Sequence, residues 1–198
     1  MVGIIDSKIC NIESICNLIR KLGISYKIVD SDEKFEDLSH LILPGVGTAA
    51  RAMQNLKEHK LLDGILSHAA ADKPMLGICL GMQLLFESSL EFGNTKCLGL
   101  IPGNVIKINT DMVLPHMGWN DLNITQDIAL LKGVEQNSDV YFVHSYRADT
   151  DSKYIAATAQ YGESIPAVVF SGNVMGTQFH PEKSLKWGEK IMTNFFNM

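Results

Sequence analysis

The chain has 198 residues, 46% of them hydrophobic and 20% charged, with a formal net charge of −5. That is enough chain to bury a sizeable core. The acidic balance and scattered basic residues exclude a polyanion-binding footprint, so no nucleic acid is expected as a partner. No segment approaches the roughly 20 apolar residues that cross a bilayer, so no membrane partner is expected. The N-terminus has no basic lead to a secretory signal. Cys10, Cys16, Cys79 and Cys97 show neither zinc-site spacing nor a secreted disulfide framework. A reduced, cytoplasmic protein without a bound metal is the expectation.

Val2 to Ile5 reads as the first strand. Asn11 is placed to cap a helix in which Ile12, Ile15, Cys16, Ile19 and Leu22 recur at helical spacing, and Gly23 stops it. Strands are expected at 26–29 and 41–43, then helices at 49–56 and 61–71. Pro74 introduces a strand at 75–78, followed by a helix at 82–87. Strands separated by helices predict βαβ units and a parallel sheet covered on both faces.

Beyond residue 100, short runs at 105–108, 140–143, 154–159, 167–170 and 174–179 are separated by turn residues such as Gly162, Gly172 and Asn173. Some of these strands are therefore expected to be antiparallel. Trp187, Ile191 and Phe195 mark one face of a last helix. No linker or repeat interrupts the chain. The prediction is a single α/β domain over 1–198, with a mostly parallel central sheet flanked by helices.

Gly77-Ile78-Cys79-Leu80-Gly81 has the form G-x-C-x-G between an apolar strand and a helix. In the serine version of this pattern a sharp turn thrusts the nucleophile out of the sheet. The flanking glycines spare the turn a Cβ, and the helix start favours anionic sulfur. The alternative is a small buried core cysteine, which is the reading for Cys16 on its apolar helix face.

A thiolate needs a histidine, and the histidine an orienting group. His59 and His68 fall on polar helical stretches and are expected to be solvated; His40 opens a strand without an acidic companion. His180 is followed by Pro181 and Glu182. Pro181 favours extended geometry at His180, and alternation would let Glu182 reach the ring nitrogen facing away from Cys79.

Gly77–Gln83 together with Gln178–Glu182 resemble the class I, triad-type glutamine amidotransferases. Leu43-Pro44-Gly45-Val46-Gly47, Pro115-His116-Met117-Gly118-Trp119-Asn120, Phe142-Val143-His144-Ser145-Tyr146-Arg147 and His180-Pro181-Glu182-Lys183-Ser184 extend the resemblance over essentially the whole chain. The resemblance implies a glutaminase acting on L-glutamine, with Cys79 as nucleophile, His180 as acid/base and Glu182 as its orienter. It implies an oxyanion hole from an N–H at Val46 or Gly47 with that of Leu80, worth about 3 kcal/mol. Gly45, Gln83 and the Ser145–Tyr146 backbone would position substrate. Asn11, His116, Trp119 and Lys183 would lie toward a partner.

No cofactor or metal is implied. The implied partner is a HisF-like (β/α)₈-barrel synthase of histidine biosynthesis. A sugar amidotransferase of surface-polysaccharide synthesis is the alternative, because the turn Asp6-Ser7-Lys8-Ile9-Cys10 lacks the glycine usual there. Two rivals are a free-standing cysteine hydrolase, which typically carries histidine where Leu80 stands, and a catalytically silent scaffold.

Overall fold

The computed structural model describes residues 1–8, 12–32, 35 and 37–198. The expected cap and partner contact of Asn11, and the end of the glycine-free turn, lie outside the described residues.

Five strands run parallel: β1 (Val2–Ile5), β2 (Tyr26–Val29), β3 (His40–Gly45), β4 (Met75–Cys79) and, from the far end of the chain, β14 (Val174–Thr177). They form one sheet in the order β2-β1-β3-β4-β14. The sheet continues through antiparallel β13 (Glu163–Ser171), β12 (Ile155–Tyr161) and β9 (Asn123–Ile124). The α/β class and the mixture of parallel and antiparallel pairing agree with expectation.

Successive residues of the central strands enter different cores, as a period of two requires. Ile4, Ile42, Leu76 and Ile78 pack with α1 (Glu13–Lys21) and α5 (Leu185–Phe196). Ile5, Leu41, Leu43 and Met75 pack with α2 (Ala49–Glu58) and α3 (Leu62–Ala70). His68 is buried rather than solvated: it shares the inward face of α3 with Ile65, three residues back, and its Nε2 lies 3.1 Å from the Pro74 carbonyl.

Two small sheets complete the fold. One pairs β8 (His116–Asp121) with β10 (Asp139–His144). The other has the order β11-β7-β5-β6, from β11 (Tyr146–Asp149), β7 (Asn104–Lys107), β5 (Ser88–Ser89) and β6 (Thr95–Lys96). Strands β8 and β11 were not expected, since His116-Met117-Gly118-Trp119 has no clean apolar alternation. The helix after Cys79 is α4 (Leu80–Leu84), two residues earlier than predicted and starting directly after the cysteine. β14 ends at Thr177, so Gln178 and Phe179, expected within the strand, lie beyond it.

Candidate active site

β4 and β14 lie side by side, with Thr177 in register with Ile78. Cys79 is the last residue of β4, so the chain leaving β14 carries Gln178 and then His180 past it. Parallel pairing thus joins Cys79 and His180, 101 positions apart in sequence, at the carboxyl end of the strands where open α/β sheets place their sites.

Cys79 has φ 54° and ψ −110°. For a non-glycine residue that backbone costs roughly 1–3 kcal/mol and persists only where its surroundings enforce it. Here the surroundings are backbone. A Cβ on Gly81 would sit 1.7 Å from the Leu43 carbonyl oxygen, and one on Gly77 would sit 2.6 Å from that of Gly81. The two glycines let the turn seat against β3 and hold the sulfur outward. The thiol approaches the Val143 carbonyl at 3.8 Å, and the Gln178 amide approaches the sulfur at 3.9 Å.

His180 Nδ1 meets Glu182 Oε1 at 2.7 Å, with both side chains buried. The extended geometry expected before Pro181 is present at His180, but Pro181–Lys183 form a 3-10 turn. Glu182 therefore reaches the ring by winding back, not by strand alternation. The turn is pinned: Ser184 Oγ donates to the His180 carbonyl at 2.6 Å and accepts from the Tyr141 amide at 3.0 Å.

The other ring nitrogen, Nε2, is buried outside hydrogen-bond geometry with any group described, yet the Cys79 sulfur is near enough to act on it. Burial alone would lower the imidazole pKa. The Cys79 sulfur and the Glu182 carboxylate outweigh burial and raise His180 to about 10. The direction is that of an imidazolium held between a sulfur and a carboxylate.

The family model described as glutamine amidotransferase class-I matches residues 3–198. The chain belongs to the class I glutamine amidotransferases. It is 43% identical over 195 residues to a curated relative from Bacillus mycoides, "Imidazole glycerol phosphate synthase subunit HisH", covering 98% of this chain and 93% of that one. The same description and identity hold for a relative from Desulfitobacterium hafniense over 196 residues, with the same coverage of both chains. Among solved structures, "Structure of PurLQS from Thermotoga maritima" superposes with a TM-score of 0.81 at 20% identity, over 99% of this chain and 97% of that one. "Crystal structure of glutamine amidotransferase" does so with 0.78 at 21% identity and the same coverage. At such identities the structural likeness concerns the fold.

An open pocket of about 560 Å³ lies over the sulfur of this amidotransferase. Val46, Gly47, Leu80, Gln83, Ser145 and Tyr146 line it together with Cys79 and His180. Gln83 donates to the Tyr146 carbonyl at 3.1 Å and to Gln178 Oε1 at 3.0 Å. Gly45 does not line this pocket. It packs behind the turn, where its Cβ would lie 3.0 Å from Leu80, and borders a separate cavity of about 50 Å³ beside Glu182 and Lys183.

Trp119 and Lys183 are exposed and converge on one ring: Trp119 stacks edge-on against Tyr141 at 5.9 Å, and Lys183 Nζ lies 5.5 Å from the same ring centroid. His116 is not on that surface. It is buried, stacked between Phe142 and Tyr161, because alternation along β8 turns it inward where Met117 and Trp119 face out.

Two charged pocket residues escaped the sequence reading. Glu91 accepts from the Ala49 amide at the start of α2 at 2.9 Å, and Lys107 lies opposite Tyr146 in the β7–β11 pairing. Neither sits in a recognisable motif. Only the closure of the small sheet over the sulfur brings them to the pocket wall.

Proposed function

We propose that this amidotransferase is the glutaminase subunit of an imidazole glycerol phosphate synthase, hydrolysing L-glutamine and passing the ammonia to a HisF-like (β/α)₈-barrel partner in the cytoplasm. The observation that carries the chemistry is the 2.7 Å His180–Glu182 contact behind an imidazole that shares its pocket with the strained Cys79. The pathway is supported by relatives at 42–43% identity over nearly the full chain, named as HisH subunits. Among the described residues, no observation favours the polysaccharide alternative.

The sulfur attacks the side-chain amide carbon of glutamine, forming a C–S bond and placing negative charge on the carbonyl oxygen. Backbone N–H groups at Leu80 and at Val46 or Gly47 receive that charge. The tetrahedral species collapses, the C–N bond breaks, and His180 gives its proton to the leaving nitrogen, releasing ammonia. Water then attacks the γ-glutamyl thioester, giving a proton to His180, and glutamate leaves as the thiolate is restored. Glu182 holds the ring in the tautomer that presents Nε2 and stabilises its charge. Glu91 and Lys107, which also line the pocket, supply a negative and a positive group, matching the α-ammonium and α-carboxylate of an amino-acid substrate.

The test is glutamate release by the complex purified with its synthase. Cys79→Ala should abolish release while leaving the complex intact. Normal turnover in that variant, or none in the unaltered complex, removes the proposal.

A further inference from the structure

Strand β8 and the pocket are joined by hydrogen bonds whose direction is fixed from one end. The Tyr146 carbonyl can only accept, so His144 Nδ1, 2.7 Å away, carries a hydrogen. Burial pushes both His144 and His116 down to about 4, which leaves both rings neutral near pH 7. A neutral His144 protonated at Nδ1 has a bare Nε2. That nitrogen lies 3.0 Å from His116 Nδ1, which must therefore be the donor. His116 Nε2 is bare in its turn and faces the Asn120 amide nitrogen at 3.2 Å. The orientation of that amide is set twice over: its nitrogen donates to the Gln160 carbonyl at 2.9 Å, and its oxygen accepts from the Asp121 amide at 2.9 Å.

The chain does not stop at Tyr146. The same carbonyl accepts from Gln83, which also holds Gln178, whose amide approaches the Cys79 sulfur. The His116 ring is clamped by stacking, 4.7 Å from Phe142 and 4.0 Å from Tyr161 between centroids. Reversing one histidine's tautomer would set two lone pairs or two hydrogens face to face in a buried site, a cost of order 1–3 kcal/mol. The arrangement therefore has a single sense, from β8 inward.

We propose that His116 and His144 are positioning residues: a one-way hydrogen-bond relay from Asn120 on β8 that sets the Ser145–Tyr146 backbone for glutamine, so that the placement of β8 tunes substrate affinity. The inference rests on the glutaminase reading above. β8 is suited to the input end, since its Met117 and Trp119 point outward beside the inward His116. His116 neither reaches the pocket nor meets the surface, so it acts through His144, which lines the pocket.

The relay is tested in two ways. In the unaltered chain, long-range ¹⁵N–¹H correlation spectra should show both histidines as neutral Nδ1–H tautomers; an Nε2–H tautomer at either overturns the proposal. In the complex with its synthase, His116→Phe keeps a ring in the stack but deletes both nitrogens, whereas His116→Asn returns an amide donor near the place of Nδ1. His116→Phe should raise the glutamine KM roughly tenfold, the worth of one or two neutral hydrogen bonds, with kcat within about twofold. His116→Asn should recover most of that loss. A wild-type KM in His116→Phe, or an Asn variant no better than the Phe variant, overturns the relay. Should His116→Phe fail to fold, the tautomers of the unaltered chain still decide. Absence of glutamate release from the unaltered complex would instead be a failure of the glutaminase reading, leaving the tautomer result to stand by itself.

Discussion

Glu182 Oε1 sits 2.7 Å from Nδ1 of His180, and both side chains are closed off from solvent by the turn that joins them. The carboxylate does two things in the proposed mechanism: it selects the tautomer that presents Nε2 to the sulfur, and it stabilises the imidazolium. Glu182→Gln keeps the shape and loses the charge. The expected outcome is a fall in kcat of roughly 10²–10⁴-fold with little change in KM, measured as glutamate release at saturating glutamine. A kcat within a few-fold of wild type would remove Glu182 from the triad.

The opposite charges of Glu91 and Lys107 on the pocket wall give a prediction about specificity. Lys107→Met should raise the KM for L-glutamine about tenfold, because one charge-assisted hydrogen bond to the α-carboxylate is lost. The same variant should not alter the slow hydrolysis of 4-aminobutanamide, which has no α-carboxylate. If both substrates suffer equally, Lys107 supports the pocket wall without reading the substrate.

Trp119 and Lys183 meet at the Tyr141 ring on the surface beside the His180 turn. If the synthase docks there, replacing both by alanine should raise the ratio of glutamate released to acceptor aminated above unity, since ammonia escapes before transfer. Both products are measured in the same reaction. An unchanged ratio would move the interface elsewhere.

Acid should act on the buried histidine pair. His116 and His144 are held down at about 4 by burial, while in the unfolded chain each takes a proton near the ordinary histidine value of 6.5. Between those values the unfolded state binds more protons, so stability falls as pH drops from about 6.5 to 4. At about 1.4 kcal/mol per unit, each ring accounts for roughly 2–3 kcal/mol by pH 4.5. His116→Phe should flatten that acid limb in urea unfolding at pH 7, 5.5 and 4.5. Parallel pH dependences for the two proteins would mean that His116 titrates alike in both states.

Much of the site was legible because its chemistry is local. G-x-C-x-G at 77–81 forces a turn that a Cβ at either end would block, and that constraint is visible in five residues. His180-Pro181-Glu182 likewise carries its own orienting partner two positions away, although the turn that joins them is wound and not extended. The strands of the first half were readable from their apolar runs. Strand β8 was not, because its pairing with β10 and its stacked His116 replace the apolar alternation that marks a strand.

Residue order alone determined the α/β class and singled out Cys79, His180 and Glu182 as candidates, since each reading depends on neighbours within a few positions. Tertiary structure decided what depends on distant ones. It set β14 beside β4 so that Cys79 and His180 line one pocket, carried Glu91 and Lys107 to the pocket wall, and turned His116 inward. Pairing register and burial are properties of two segments together, and no single stretch of sequence contains both.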